Sequence, residues 1–247
     1  MYQLWTKHGA RLECVRSSAG LFNWLFLPGG PGLGSECLHS LTSILKVPGT
    51  IWHLDLPGDG SNSAGEICNW AEALVEATGA LDNVILVGHS RGGMFALALP
   101  ELQQNLVGLV LLDSAPNMQW KSDFAPEEGV YTDNASLREF VLAGAPYMFT
   151  KEGLAKGRKM LEGLPYNLRA IQWTQDHFDP TYEAKWIPHM PALILSGAED
   201  QATPLKYFAE NRAFHRNNIV MKEIPHAGHF PWIENPQGII DAFSAFL

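Results

Sequence analysis

Residues 83–93 read Asn-Val-Ile-Leu-Val-Gly-His-Ser-Arg-Gly-Gly, and Ser90 is the side chain in them that could do chemistry. An aliphatic run precedes the serine and helix-forming residues follow it, which predicts an abrupt turn from a strand into a helix. Gly88 and Gly92 lie two positions before and after Ser90, where larger side chains would collide across so tight a turn. Gly93 would let the helix pack close to the sheet. The segment predicts a nucleophile elbow, with the Ser90 hydroxyl near the amino end of the helix.

A serine hydroxyl is a weak nucleophile at neutral pH, and it needs a histidine as base and a carboxylate that orients the histidine. In an elbow fold the acid and then the histidine follow the serine, each on a loop at the carboxyl edge of the sheet. The loop after the apolar run at 192–196 supplies Glu199 and Asp200. The loop after the next strand supplies His226 and His229. The chain order therefore predicts a triad of Ser90 with one acid and one histidine from these loops.

Apolar strands and helical segments alternate around these residues. Two short runs separated by His8-Gly9 predict an opening hairpin at residues 2–7 and 11–16. Further strands are expected at 22–27, 50–56, 84–87, 106–112, 192–196 and 219–224, and the last two helices at about 205–214 and 236–247. Strands that are apolar throughout are buried on both faces. The pattern predicts an α/β fold with a mostly parallel central sheet and helices on both faces.

Residues 117–188 separate two core strands by far more than an ordinary connection. They are rich in helix formers, contain no convincing strand and hold eleven aromatic residues, which argues against a disordered loop. We therefore divide the chain into a core of residues 1–116 and 189–247 and a helical cap of residues 117–188. The inner face of the cap should border a pocket, and part of its aromatic residues should form its own core.

Length and composition narrow the class of protein. The 247 residues suffice for one sizeable domain with an insertion. A net charge of −9 without a lysine or arginine cluster argues against nucleic acid or an anionic membrane surface as a partner. Cys14, Cys37 and Cys68 lack metal-ligand spacing, and three free thiols fit a reducing compartment. No signal peptide or membrane span is visible, so we expect a cytoplasmic monomer or homodimer that acts on a small molecule without cofactor or metal.

Four segments are typical of one family: Gly-His-Ser-Arg-Gly-Gly at 88–93, Asp-Leu-Pro-Gly-Asp-Gly-Ser at 55–61, Gly-Ala-Glu-Asp-Gln-Ala-Thr-Pro at 197–204, and His-Ala-Gly-His-Phe-Pro-Trp-Ile-Glu-Asn-Pro at 226–236. Through them the chain resembles the α/β-hydrolases. The likeness runs from about residue 20 to the end of the chain and is least specific in the cap. It implies the α/β-hydrolase fold and a serine hydrolase activity.

The resemblance also selects among the candidate residues. The family's acid lies three residues after the glycine of its loop, which implies Asp200 rather than Glu199. Its catalytic histidine follows a glycine, which implies His229 as the base and a structural role for His226. His89 should point away from the Ser90 hydroxyl by strand alternation and be structural as well. The remaining histidines have no motif around them.

Two backbone amides are expected to bind the oxyanion of the tetrahedral intermediate. One is the N–H of Arg91, directly after the nucleophile. The other maps to Gly30, because the loop after the 22–27 strand reads Pro-Gly-Gly-Pro-Gly from Pro28 and Pro31 has no N–H. Related sequences carry a histidine in place of Pro28, and that histidine supports the loop. Its absence leaves open what holds the loop here.

Hydrolysis of a carboxylic ester with an apolar acyl or aryl group, through an acyl-enzyme, is the activity that the resemblance favours. The Gly-Gly-Pro-Gly loop is similar to that of proline iminopeptidases, which makes an aminopeptidase the alternative. Such an enzyme needs acidic cap residues for the substrate ammonium, and the candidates form no recognisable motif: Asp123, Glu127, Glu128, Asp133, Glu139, Asp176, Asp179 and Glu183. The fold also hosts cofactor-free lyases and oxygenases that abstract a proton, and non-catalytic binding proteins.

Overall fold

The computed structural model describes residues 2–30, 32–123 and 131–246. Its strands are β1 (Tyr2–Trp5), β2 (Arg11–Ser17), β3 (Asn23–Leu27), β4 (Thr50–Asp55), β5 (Val84–His89), β6 (Leu106–Leu112), β7 (Ala192–Gly197) and β8 (Ile219–Ile224). They form one sheet in the order β1-β2-β4-β3-β5-β6-β7-β8. The β1–β2 and β2–β4 pairs are antiparallel and all other pairs are parallel. The predicted opening hairpin and mostly parallel sheet are confirmed.

The apolar strands divide the core into two layers, one on each face of the sheet. Because side chains alternate along a strand, Leu25 packs in one layer with α-helical residues such as Phe95, and Phe26 packs in the other with Phe243. Every residue of β5 and of β7 is buried. This explains why these segments read as continuous apolar runs instead of alternating patterns.

Ten α-helices lie in the described residues: α1 (His39–Ile44), α2 (Trp70–Gly79), α3 (Arg91–Ala98), α4 (Gln119–Asp123), α5 (Asn134–Met148), α6 (Leu154–Glu162), α7 (Leu168–His177), α8 (Lys206–Ala209), α9 (Pro231–Glu234) and α10 (Pro236–Phe246). Helices α2 and α3 cover one face of the sheet, and α1 and α10 cover the other. In this described part of the chain, none of the helices combines the length and the apolar character that crossing a membrane requires.

The helix predicted at about 205–214 is shorter than expected. Helix α8 ends at Ala209, and a separate 3₁₀ turn follows at Arg212–Phe214. The reason is local: Asn211 is extended, and its side chain accepts the N–H of Ala213, which starts the new turn.

Helices α4 to α7 all belong to residues 117–188, which we call the helical insertion. Its two ends meet, because Asn117 pairs with Glu183 in an antiparallel bridge and the Ala184 N–H donates to the Pro116 carbonyl over 2.7 Å. Phe178 and Tyr182 pack with the core layer under α2 and α3 rather than within the insertion. Phe124, Glu127 and Glu128 fall outside the described residues.

Candidate active site

Ser90 sits at the turn between β5 and α3 with φ 52° and ψ −124°. A non-glycine residue in this region costs about 1–3 kcal/mol, so the surroundings must hold it there. Its N–H donates to the Leu112 carbonyl over 2.8 Å, and its own carbonyl accepts the Ser114 hydroxyl over 2.8 Å. Leu112 is the last residue of β6, and Ser114 follows it by two positions. The neighbouring strand therefore fixes the strained geometry that the elbow motif predicts.

The glycines around Ser90 are required by close backbone contacts. A Cβ on Gly88 would lie 2.6 Å from the Gly93 nitrogen, so the turn cannot close over a larger residue. A Cβ on Gly92 would meet the Pro28 carbonyl at 2.5 Å instead of Gly88, which corrects the reason predicted for that position. A Cβ on Gly93 would come within 2.5 Å of the Ser114 hydroxyl. Helix α3 thus packs tightly against the ends of both β3 and β6.

Asp200 and His229 form a buried pair, with His229 Nδ1 3.0 Å from Asp200 Oδ2. The Asp200 carboxylate also accepts the N–H groups of Ala202 at 2.8 Å and of Thr203 at 3.3 Å. Burial raises the pKa of Asp200, but the interaction with His229 and the two amide hydrogen bonds outweigh it and the pKa is lowered overall. Asp200 is therefore ionised at neutral pH and can orient the imidazole.

The rival residues lie elsewhere. Glu199 and His226 are both exposed, whereas Asp200 and His229 are buried next to each other. His226 takes a positive φ of 55° in the turn that leads to His229. The two loops therefore bring together the pair that the resemblance implies.

The backbone of His229 is held from two sides. Its N–H donates to the Met148 carbonyl at the end of α5 over 2.8 Å. Its carbonyl lies 3.0 Å from His89 Nε2. Burial and then the proximity of His229 lower the pKa of His89 to about 3, so the His89 ring is neutral. His89 Nε2 then carries the proton that it donates to the carbonyl, and His89 positions the histidine loop.

Ser90 and His229 line one cavity of about 230 Å³ between the sheet edge and the helical insertion. Its other lining residues are mainly apolar and include Leu33, Leu137, Phe140, Val141, Met148, Ile171 and Phe230. Its polar lining residues include Arg91, Thr203, Tyr131 and Gln175, and the last two hydrogen-bond to each other over 2.8–2.9 Å. The hydrogen bonds of the described residues do not include one between the Ser90 hydroxyl and His229. Such contacts are often long or misaligned in ligand-free sites and tighten when substrate binds.

Three hydrogen bonds hold the loop that carries Gly30. The Gly30 carbonyl accepts Arg91 Nη1 over 2.6 Å, the Gly32 N–H donates to Asp59 Oδ1 over 2.9 Å, and the Gly32 carbonyl accepts the Asn167 N–H over 3.0 Å. A Cβ on Gly29 would lie 2.6 Å from the Ser90 Cβ, so the loop lies directly against the elbow. These partners supply the support for which the family uses a histidine at the position of Pro28.

Asp113 is a site residue that the sequence reasoning missed. It follows β6 with a φ of 44°, and its Oδ1 accepts the Gly197 N–H over 2.8 Å. Burial, followed by the charge of Asp200, raises the pKa of Asp113 well above its usual value. The sequence feature that could have identified Asp113 is its position directly after an apolar strand, since Asp200 also lies in a loop after such a strand.

Asp113, Asp200 and His229 also form the group of described residues whose spacing could hold a metal ion, because one ligating atom of each lies within 4.8 Å of the others. The hydrogen bond between His229 and Asp200 already uses two of these atoms. The arrangement suits orientation of the imidazole by Asp200 and stabilisation of the positive charge that forms on His229.

Residues 24–242 match the family model described as "Alpha/beta hydrolase family". The chain belongs to the α/β-hydrolase family. The α/β-hydrolase fold predicted from the sequence, with its mostly parallel sheet, is confirmed.

Relatives of this α/β-hydrolase agree with the assignment. It is 24% identical over 251 residues to "Putative esterase/lipase 2" of Mycoplasma pneumoniae, an alignment that covers 91% of this chain and 88% of the relative. A proline iminopeptidase-related protein of Thermus thermophilus superposes with a TM-score of 0.76 at 18% identity, covering 100% of this chain and 96% of the other. A thermophilic esterase of Thermogutta terrifontis superposes with a TM-score of 0.69 at 19% identity, covering 99% and 97%. At these identities the superpositions show the shared fold alone.

Proposed function

We propose that this α/β-hydrolase cleaves uncharged carboxylic esters through an acyl-enzyme, with Ser90 as nucleophile, His229 as base and Asp200 as the orienting acid. The observation that carries the proposal is the buried Asp200–His229 pair, 3.0 Å between Oδ2 and Nδ1, on the same apolar cavity as a serine at a strained elbow. The relative named as an esterase/lipase supports the same class of reaction.

The proposed chemistry follows from the free nitrogen of the imidazole. Because Nδ1 faces Asp200, Nε2 is the atom that takes the Ser90 proton as the hydroxyl attacks the ester carbonyl. The resulting oxyanion would be bound by the N–H groups of Gly30 and Arg91, at the amino end of α3. His229 then passes the proton to the leaving alcohol, and a water activated in the same way releases the acid.

The cavity favours an uncharged substrate. Among its described lining residues there is no aspartate or glutamate, and Arg91 is paired with Asp179. A cavity of about 230 Å³ walled by Phe140, Val141 and Ile171 suits a short alkyl or aryl group on the acyl or alcohol side.

The aminopeptidase alternative has little support in the described part of the insertion. An ammonium group in the pocket needs a free carboxylate, but none of the described acidic residues of the insertion lines the cavity. Asp123 hydrogen-bonds to Tyr207, Asp133 caps α5, Asp179 is bound to Arg91, and the other described candidates are exposed: Glu139, Asp176 and Glu183. Ester cleavage therefore remains the first proposal.

Labelling with a fluorophosphonate tests the proposal directly. We expect stoichiometric labelling of the wild type, no labelling of Ser90→Ala, and turnover of short p-nitrophenyl esters but not of prolyl arylamides. A wild type that neither reacts with the probe nor cleaves any ester would refute it. If Ser90→Ala kept its activity on a substrate while His229→Ala lost it, the reaction would be proton abstraction instead.

A further inference from the structure

The side chain of Arg91 makes contacts that the elbow motif does not require. Nη1 donates to the Gly30 carbonyl over 2.6 Å, while Nε and Nη2 donate to the two carboxylate oxygens of Asp179 over 3.1 and 2.7 Å. The guanidinium also lies 5.5 Å from the ring centre of Trp120. One side chain thus joins the elbow, the Gly30 loop and the helical insertion.

Asp179 is well placed to fix the guanidinium. Asp179 lies in the 3₁₀ turn that follows α7, and its side chain is only 3% exposed. It binds Arg91 through both carboxylate oxygens. A bidentate pair of this kind sets the plane of the guanidinium as well as its position. Lys121 reaches the same carboxylate at 3.4 Å, but its side chain is 48% exposed and it adds a single contact.

The Gly30 loop needs an external support. Gly30 has a φ of 120°, a conformation that residues with a side chain rarely adopt, and as a glycine it has no side chain that could anchor the loop. Asp59 and Asn167 bind the loop at Gly32, two residues further along. At Gly30 itself the partner is Arg91, which occupies the supporting role left vacant by the replacement of the family's histidine with Pro28.

We propose that Arg91 is a positioning residue whose side chain, oriented by Asp179 of the helical insertion, holds Gly30 so that its N–H faces the oxyanion. The inference rests on the proposed function and deepens it. In the same residue, the backbone N–H would bind the oxyanion and the side chain would aim the second donor at it. Oxyanion binding then depends on how the insertion packs against the elbow, although neither of the two proposed donors, Gly30 and Arg91, belongs to the insertion.

The effect should appear in kcat and not in KM, because the oxyanion exists only in the transition state and intermediate. Removing one oxyanion donor costs on the order of 10²–10³ in rate, and a misplaced donor costs somewhat less. For loss of the Arg91 side chain we therefore expect kcat to fall on the order of 10- to 100-fold, with KM within about threefold of the wild type.

A double variant separates positioning from folding. Arg91→Met alone would leave the buried Asp179 carboxylate with only the exposed Lys121 as a charged partner, which is destabilising. Apolar replacement of both members of a buried ion pair is often neutral. Arg91→Met/Asp179→Leu should therefore keep a wild-type melting temperature and still show the loss in kcat on a p-nitrophenyl ester. Phosphonylation of Ser90 should slow by a similar factor, since the tetrahedral adduct uses the same donors.

Two single variants complete the test. Arg91→Lys keeps the charge but cannot bind Asp179 in bidentate fashion while reaching Gly30, so we expect a loss close to that of the double variant. Lys121→Gln removes the exposed contact to Asp179 and should leave kcat unchanged. Wild-type kcat in the folded double variant would overturn the proposal, and so would wild-type kcat in Arg91→Lys, because a positive charge alone would then suffice. Failure of the ester hydrolase proposal itself would show as an inert wild type.

Discussion

Asp59 allows a quantitative test of the electrostatics around the Gly30 loop. It is fully buried and accepts the N–H groups of Gly32 at 2.9 Å and of Leu56 at 3.2 Å. Burial, with a smaller contribution from the charge of Asp55, raises the pKa of Asp59 from 3.8 to about 7. The folded state therefore retains a proton that the unfolded chain releases near pH 4, and the free energy of unfolding must fall as pH rises from about 4 to 7.

The magnitude follows from 1.36 kcal/mol for each unit by which the two pKa values differ. The full effect of Asp59 is about 4 kcal/mol above pH 8, and roughly 2–3 kcal/mol of it develops between pH 5 and pH 8. Asparagine is neutral throughout this range. Asp59→Asn will be less stable at pH 5, because its amide cannot accept both N–H groups, but the deficit should shrink by roughly 2–3 kcal/mol at pH 8.

Urea unfolding of both proteins at pH 5, 6, 7 and 8, followed by tryptophan fluorescence, measures this difference. Every other titrating group is common to the two proteins, so the difference between their free energies of unfolding reports on Asp59. Glu76→Gln, unfolded also at pH 3 and 4, serves as a control of opposite sign. Burial raises the pKa of Glu76, but the hydrogen bonds from His8 outweigh this and lower it overall. The wild type should therefore lose its advantage over this variant as pH falls below about 4.5. Parallel pH dependences of the wild type and Asp59→Asn would refute the reasoning.

Further predictions concern the elbow and the acidic pair. Asp200→Asn should lower kcat on the order of 10⁴-fold, because its amide would favour the wrong tautomer of His229; ester kinetics on a variant with an unchanged melting temperature measure this. Gly88→Ala should cost about 3 kcal/mol in urea unfolding because the new Cβ meets backbone, whereas Gly163→Ala, with its nearest atom 3.6 Å away, should cost little. Burial is the main reason that the pKa of Asp113 is raised. The wild type should therefore lose stability relative to Asp113→Asn as pH rises above about 4. Melting temperatures of the two proteins that change equally with pH would contradict this.

The sequence predicts what is encoded locally. The elbow around Ser90, the buried strands and the order of acid and histidine depend on residue types within a few positions, and the structure has each of them. The helix after β7 was predicted too long because one asparagine side chain ends it, which hydrophobic periodicity does not register.

The support of the Gly30 loop was beyond sequence reasoning. Arg91 and Asp179 are 88 residues apart, and Asn167 belongs to the insertion whereas Gly32 does not. Asp179 was weighed only as a partner for a substrate ammonium, since its place beside Arg91 depends on how the insertion folds back onto the sheet. Such pairs are set by tertiary packing, which leaves no local pattern.

The hydrogen bond from the His229 N–H to the Met148 carbonyl has a consequence for access to the cavity. Together with the contacts from Arg91 to Asp179 and from Asn167 to Gly32, it ties the insertion to the sheet edge at three separate points. A rigid-body opening of all four helices would have to break these contacts together, and the histidine loop would lose its hydrogen bond to Met148. Exchange of substrate and product should therefore proceed by local fluctuations of side chains and single helices, and a mutation that loosens a tie would speed release only by disordering the site.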